Sequence, residues 1–269
     1  MTAVQGLEGK MMNKYGYGTD YYGYRKKFVV LVPSTNTAVE SEYHLMKPTG
    51  VALATRACVI PSIKVTNEEE FVGLVKAIGD ATEQGLKDAL SCEPDHVIFG
   101  YSAETFWDGK ERSDREFKRY NDIAQAVGGC NITFGAQAIQ DALACYPGVK
   151  KIAVISPYMP VGDNMVIKFL EDIGYEVTAI KGHCSPGAVE IAHEPFGKTR
   201  ELVQAVNSAD CDLILQAGTN LHFAELAGSL EAELGKPVLA INTITFWHAL
   251  RTNGIPDRIK GFGSLLSEH

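Results

Sequence analysis

The chain is short of positive charge. Its 25 Lys and Arg are outnumbered by 33 Asp and Glu, which leaves a net charge of −8 over 269 residues. Phosphate backbones are held by clustered cations, so this balance excludes a nucleic-acid partner, and the acidity reads as a contribution to solubility. Long apolar runs are also missing: none approaches the ~18 residues a membrane span needs. The first 27 residues, "MTAVQGLEGKMMNKYGYGTDYYGYRKK", contain no apolar core of a signal peptide, so no membrane association and a cytoplasmic location are expected. The six cysteines (Cys58, Cys92, Cys130, Cys145, Cys184 and Cys211) form neither a CxxC pair nor a metal-ligand spacing. They are expected to be reduced and mostly buried. No Walker loop, no GxGxxG after a strand, no GxSxG elbow and no HExxH is found. No nucleotide, flavin or metal cofactor is therefore expected.

What the chain does contain is an alternation. Apolar segments at 28–33, 51–61, 96–100, 131–135, 151–157, 175–182, 212–218 and 237–242 read as strands. They lack a polar stripe, as strands do when both faces of a parallel sheet are covered. Helical patterns lie between them at 68–90, 115–127, 164–174 and 199–209. Such alternation implies βαβ units and an α/β fold with parallel sheets.

The pattern is also duplicated. Gly50 follows Pro33 by 17 residues, and Gly174 follows Pro157 by the same 17. The stretch from Asp95 through "HVIFGYSAETF" matches, without a gap and at an offset of 117, the stretch from Asp212 through "LILQAGTNLHF". Near the end of each half, "AIQDAL" (138–143) matches "TFWHAL" (245–250). A repeat of this length implies two similar lobes related by a pseudo-twofold axis. The turn Tyr146-Pro147-Gly148 marks the boundary. The expected organisation is a tyrosine-rich arm (1–27), a first lobe (28–147) and a second lobe (148–269) whose C-terminal segment can cross back to the first. The tyrosines of the arm suit packing on a neighbouring subunit.

In open α/β sheets, ligands bind at the carboxyl ends of strands, and two such ends facing each other form a cleft. Four loops belong there: "PSTNT" (33–37), "YSAET" (101–105), "PYMPVGDN" (157–164) and "GTNLH" (218–222). Their hydroxyls, amides and free backbone N–H groups suit a carboxylate. The same residue types are also common helix N-caps, a purely structural use.

At these loops the chain resembles the maleate cis–trans isomerase and arylmalonate decarboxylase group of the aspartate/glutamate racemase superfamily. The resemblance is carried by "VLVPSTNTAVESE", "GYSAETFWDG", "ISPYMPVGDNMVIKFLEDIGYEV", "AGTNLHFAELAGSLEAELGKPVLAIN" and "TFWHALR", and spans about residues 28 to 255. It implies two pseudo-symmetric flavodoxin-like lobes, each a parallel sheet flanked by helices, with the active site in the cleft between them. It also implies a cofactor-independent enzyme that acts on a small mono- or dicarboxylate and assembles as a homodimer or homotetramer. Family members place catalytic cysteines at one or both strand ends. Those two positions fall on Tyr101 and Gly218, so neither thiol is expected here. The remaining binding shell is implied at Asn36, Ser102, Thr105, Tyr158, Asn164, Gly218, Thr219 and Asn220.

Two residues are candidates for the chemistry. Tyr101 either donates a proton or only fills the space of the absent thiol. Glu104 is the one carboxylate in the two strand-end motifs. An apolar cleft would raise its pKa and suit it to acid or base work, whereas a first-turn helix position would give it a dipole-complementing role. The loop "IKGHCSPG" (180–187) offers Lys181, His183 and Cys184 at the rim, where a neighbouring cation could activate a thiolate. Cys58 and His222 are further candidates for the pocket edge, and His248 reads as a packed helix residue. Three functions remain open at this point. The first is a lyase or isomerase working through an enediolate-like intermediate. The second is a hydrolase or hydratase in which Glu104 and Tyr101 activate water. The third is a non-catalytic carboxylate binder.

Overall fold

A computed structural model describes residues 20–269. The arm expected at 1–27 lies largely outside the described residues, Tyr15 and Tyr17 included; Tyr21 and Tyr22 are exposed.

The first lobe runs β1 (Lys26–Pro33), α1 (Ala38–Met46), β2 (Val51–Cys58), α2 (Glu68–Leu90), β3 (His96–Phe99), α3 (Ala103–Phe106), α4 (Lys110–Gly128), β4 (Asn131–Thr133) and α5 (Gly135–Ala144). The second runs β5 (Lys151–Ser156), α6 (Pro160–Asp172), β6 (Glu176–Gly182), a 3-10 turn (Glu190–His193), α7 (Phe196–Val206), β7 (Leu213–Gln216), α8 (Ala224–Leu234), β8 (Val238–Ala240), α9 (Ile241–Thr252) and α10 (Ser264–Glu268). Each lobe holds a four-stranded parallel sheet, ordered β2-β1-β3-β4 in the first and β6-β5-β7-β8 in the second. The two orders are the same when counted within each lobe. Inner strands are buried along their length, as β3 (HVIF) and β7 (LILQ) are, while the edge strands β2 and β6 are half-exposed. That difference is why the inner strands read as unbroken apolar runs.

The matched aspartates of the repeat take the same place in each lobe. Asp95 Oδ2 accepts from the Lys27 amide at 2.7 Å. Asp212 Oδ2 accepts from the Lys150 and Lys151 amides at 2.9 Å. Each aspartate thus ties the turn before a central strand to the start of the lobe's first strand.

The apolar run at 237–242 implies a strand through Asn242, but the chain enters α9 at Ile241. This helix is buried from Ile241 to Leu250 and packs on α1, α5, β3 and β4 of the first lobe. Its Thr245 hydroxyl lies 2.7 Å from the Tyr43 hydroxyl of α1. His248, a packed helix residue, places Nδ1 2.8 Å from Thr133 Oγ1, which lies 2.8 Å from His96 Nε2. Burial first, and then the charge of His248, press the His96 pKa down to about 3, so the ring is neutral.

Two helices cap each other across the lobe boundary. The four leading amides of a helix have no partner within it. Asn220, in the turn before α8, accepts at Oδ1 from the Thr37 and Ala38 amides that start α1 (2.9 and 3.2 Å). In return Glu42 of α1 accepts at Oε1 from the Phe223 and Ala224 amides that start α8 (2.7 and 2.9 Å). Its Oε2 accepts from Asn242 Nδ2 on α9 at 2.7 Å. Glu42 is only 4% exposed. Burial raises its pKa, against the pull of the Ala224 amide, Asn242 and the Phe223 amide. With a raised pKa, the contribution of Glu42's protonation to stability is complete below its unfolded-state value and is lost as pH rises through the folded one.

Glu42→Ala strands two helix-start amides and one of the two Asn242 Nδ2 donors, the other being held by the Thr219 carbonyl, at a buried boundary. It is expected to cost about 2–4 kcal/mol. Urea unfolding followed by circular dichroism measures this; a midpoint equal to that of the parent would show that the lobes are held elsewhere.

Candidate functional site

The four strand-end loops do converge, and they leave a cavity of ≈ 60 Å³ between the lobes. Its polar side is made by Thr35, Asn36, Ser102, Tyr158, Thr219 and Asn220. Its other side is apolar. Phe71, Leu74, Val75 and Ile78 project from one face of α2, and Ala188 and Ile191 come from the segment after β6. The α2 face has the i, i+3, i+4, i+7 spacing of a helical stripe. Helix α2 is fixed at its start by Asn67, whose Oδ1 accepts from the Glu70 amide at 2.9 Å, and by Glu70, which accepts from the Thr66 amide and hydroxyl. The sequence marks this stripe as apolar but carries no sign that half of it faces a ligand space.

Several predicted binders are already occupied. Asn36 Oδ1 caps α1 by accepting from the Ala38 and Val39 amides (3.1 Å each), and its Nδ2 donates to Thr219 Oγ1 at 3.2 Å. Thr219 Oγ1 donates to the Gly100 carbonyl at 3.0 Å. Asn220 Nδ2 donates to the Ala188 carbonyl at 2.7 Å and to the Thr35 carbonyl at 3.3 Å. These three side chains line the cavity while joining the lobes, so the structural use of such residues accounts for most of their bonds. The unspent polar groups are a hydroxyl pair and backbone amides. Ser102 Oγ and the Tyr158 hydroxyl lie 2.8 Å apart, each in a residue no more than 5% exposed. Burial raises the Tyr158 pKa, so it is a donor and not a phenolate. The Ser102, Thr219 and Asn220 amides make no hydrogen bond among the described residues.

Gly218 lines the cavity with φ of +112°, and a Cβ built there would stand 2.2 Å from Cδ of Pro157. No side chain, a cysteine's included, fits without moving that ring. Tyr101, at the matching position in the first lobe, is 3% exposed, and its hydroxyl lies 2.8 Å from Thr82 Oγ1. Thr82 Oγ1 donates to the Ile78 carbonyl, so the Tyr101 proton is committed to Thr82. Burial, reinforced by Cys58, drives the Tyr101 pKa well above its ordinary value. The ring is a wall of the cavity, and its hydroxyl is turned into α2.

Glu104 lines the cavity next to Ser102, in the first turn of α3. Part of the residue reaches a cavity surface, but Oε1 is enclosed and without a hydrogen-bond partner. Desolvation lifts its pKa to about 8, against the opposing pull of its own amide and of Arg112. At neutral pH it is mostly a carboxylic acid. A solvated first-turn carboxylate complementing a helix dipole would not behave so.

The other predicted residues stand apart from the cavity lining. Thr105 is fully buried and donates to the Ser102 carbonyl at 2.7 Å. Asn164 is exposed on α6, whereas its neighbour Asp163, which no sequence motif singles out, is buried and bonded to Ser156. Burial, opposed by Ser156, raises the Asp163 pKa to about 6. Cys58 is 1% exposed, and burial followed by the charges of Glu104 and Asp88 pushes its thiol up to about 12. Cys184 is exposed, and desolvation with the charge of Asp163 raises its thiol against the weaker opposing pull of Lys198, so it is not an activated thiolate. His183 is buried, with Nε2 3.1 Å from Thr199 Oγ1 and Nδ1 3.1 Å from Glu194, and desolvation lowers its pKa. Lys181 is exposed and His222 half-buried, and neither lines the cavity. The "IKGHCSPG" loop therefore leads to the cavity, but the segment just past it touches the space, through Ala188 and Ile191.

Among the described residues no His, Cys, Asp and Glu cluster could hold a metal ion, and no helix is long and apolar enough to cross a membrane.

Comparison with known proteins agrees with this architecture. The maleate isomerase of Geobacillus stearothermophilus is 25% identical over 252 residues, covering 88% of this chain and 96% of that protein. A mutant of the Nocardia farcinica maleate cis-trans isomerase, with a covalently bound succinylcysteine intermediate, superposes with a TM-score of 0.80 at 18% identity; the match covers 91% of this chain and 99% of that one. An arylmalonate decarboxylase structure gives a TM-score of 0.68 at 16% identity, covering 90% of this chain and all (100%) of that one. The family model described as arylmalonate decarboxylase matches residues 31–266, nearly the whole chain, and the protein belongs to that family.

Proposed function

We propose that the protein is a cofactor-independent decarboxylase of a small malonate-type diacid. Relatives of the isomerase and lyase type support an enzyme of this class. The choice of decarboxylation rests on one observation: among the described residues, the one acid-base group in the cavity lining outside tyrosine is Glu104, a desolvated carboxylic acid. Isomerisation by covalent addition needs a nucleophile, and among the described residues the lining holds no thiol, imidazole or ammonium group.

The parts fit the reaction in order. The retained carboxylate is received by the Ser102 and Tyr158 hydroxyls with the unspent amides of Ser102, Thr219 and Asn220. These donors come from both lobes and are fixed before the substrate arrives. The departing carboxylate is pressed against Phe71, Leu74, Val75 and Ile78, where loss of water favours neutral CO2 over the charged group. As the carbon–carbon bond breaks, its electron pair stays on the α-carbon and spreads into the retained carboxylate as an enediolate. Glu104 then gives its proton to that carbon. Asn36, Thr219 and Asn220 hold the two halves of the site in register. A homodimer or homotetramer belongs to the same reading, with Tyr21 and Tyr22 available for contact. Hydration or hydrolysis is the competing use of the cleft; it needs Glu104 as a carboxylate base, which its desolvation disfavours below about pH 8.

Glu104→Gln is expected to lower kcat by about 10²–10⁴ with little change in KM, measured as CO2 release from α-substituted malonates. Parent activity should fall about tenfold per pH unit above a pKa of about 8, and that limb should vanish in the variant. The raised pKa also carries a stability consequence. The preference for the neutral acid is complete below the unfolded-state value near ~4.3 and is lost as pH rises through about 8. Glu104→Gln should therefore unfold at a higher temperature than the parent at alkaline pH. Unchanged turnover in Glu104→Gln would remove this residue from the mechanism.

In D2O the product should gain one deuterium at the α-carbon, and 18O from water should stay out of it. Iodoacetamide should leave turnover intact, since the exposed thiol, Cys184, lies outside the cavity lining. Inactivation by iodoacetamide, or 18O in the product, would replace this mechanism with a thiol or hydrolytic one.

A further inference from the structure

Val75, Tyr101 and Glu104 line a second cavity as well as the first. This one has a volume of ≈ 270 Å³ and lies between α2 and α4. Volume of that size holds roughly ten waters or more. Helix α2 supplies Val72, Lys76, Asp80 and Thr82, and α4 supplies Arg112, Glu116, Arg119 and Tyr120. Exposed Lys76, Asp80 and Arg119 form its outer part. The Val75, Tyr101 and Glu104 side chains thus stand between the two cavities; the first is apolar on its α2 wall, and the second adds charged Lys76, Asp80, Glu116 and Arg119 to Val72, Trp107 and Phe134.

We infer that the cavity between α2 and α4 is the water-filled entrance through which Glu104 recovers its proton from solvent after each turnover. The inference rests on the decarboxylase reading above. Protonation of the enediolate leaves Glu104 as a carboxylate and forms a C–H bond. A malonate dianion that loses CO2 therefore draws one proton per cycle from outside. Returning that proton through the substrate side would require water against the apolar stripe of α2. The back door avoids this.

Charges in the second cavity suit that task. Lys76 pairs with Asp80, and Arg119 pairs with Glu83 and Glu116. Arg112 makes no hydrogen bond or ion pair among the described residues, yet its charge acts on Glu104. It is placed to steady the carboxylate while it waits for a proton without fixing it in a salt bridge. Other titratable groups around Glu104 are Cys58 at the end of β2, Tyr101 after β3, Tyr158 before α6 and Tyr120 on α4, all with raised pKa values. None of these competes as a proton source near neutrality, which leaves water.

Gly79 gives a direct test. It lines the second cavity, is absent from the first, and a Cβ built on it meets nothing within 4 Å. Gly79→Leu places an apolar plug in the water space, and Val72→Trp plugs the exposed side of the same cavity should the helix reject leucine. The readout is the infrared band of the protonated Glu104 carboxyl, assigned by its loss in Glu104→Gln and followed after rapid mixing into D2O at neutral pH. The plugged variants should exchange roughly tenfold more slowly, equivalent to ≈ 1.4 kcal/mol on the barrier. Their kcat on the malonate substrate should fall while KM stays near that of the parent. Parental exchange rates in both plugged variants would overturn the route. Absence of the band in the parent at neutral pH would overturn the acid role of Glu104 and the route together. Slowed exchange without turnover of any malonate would retain the route and reject the substrate reading.

Discussion

The exchange of helix caps between the lobes is the constraint from which the site follows. Asn220 closes the start of α1 from the second lobe, and Glu42 on α1 closes the start of α8 in return. Each bond satisfies amides that would otherwise need water at a buried boundary, so neither lobe can slide without stranding donors. The cavity lies beside this clamp. Ser102 comes from one lobe and Tyr158 from the other, and their 2.8 Å contact exists because the lobes are locked. A carboxylate bound there meets donors whose positions were settled when the chain folded.

This arrangement divides labour within the cleft. Asparagines and threonine spend their hydrogen bonds on the framework. The hydroxyl pair and the free amides are left to hold charge, and the α2 stripe keeps one side dry. Burial in turn sets the state of Glu104: desolvation holds the proton on its carboxyl against the weaker opposing pull of its own amide and of Arg112. Tyr101 is excluded from acid-base work for a different reason. Its proton is already given to Thr82, and its burial makes the phenolate inaccessible.

Much of the architecture was legible in the sequence, because parallel strands buried on both faces leave unbroken apolar runs and a duplicated fold leaves a duplicated pattern. The gapless match from Asp95 to Phe106 and from Asp212 to Phe223 carried the two lobes, and the four polar loops carried the cleft. What periodicity could not convey was the destination of each side chain. Asn36 and Asn220 look alike as caps or as ligands, and only the cross-lobe partners decide between them. Residues 71, 74, 75 and 78 read as one side of a helix, yet nothing local says that this side meets an empty space. Asn164 drew attention in the sequence, but helix phase turns it outward and brings Asp163 inward. The rim candidates Lys181, His183 and Cys184 had suitable chemistry, while the chain continues past them before Ala188 and Ile191 reach the cavity.

Pro157 against Gly218 makes the two positions one steric unit. With a ring carbon 2.2 Å from where a Cβ would stand, and with φ at +112°, any side chain at 218 is strained both by the ring and by its own backbone. A nucleophile cannot be added at that strand end by one substitution alone: the loop carrying Pro157 has to move or change with it, and that loop also carries Tyr158, so the change would reach the hydroxyl pair.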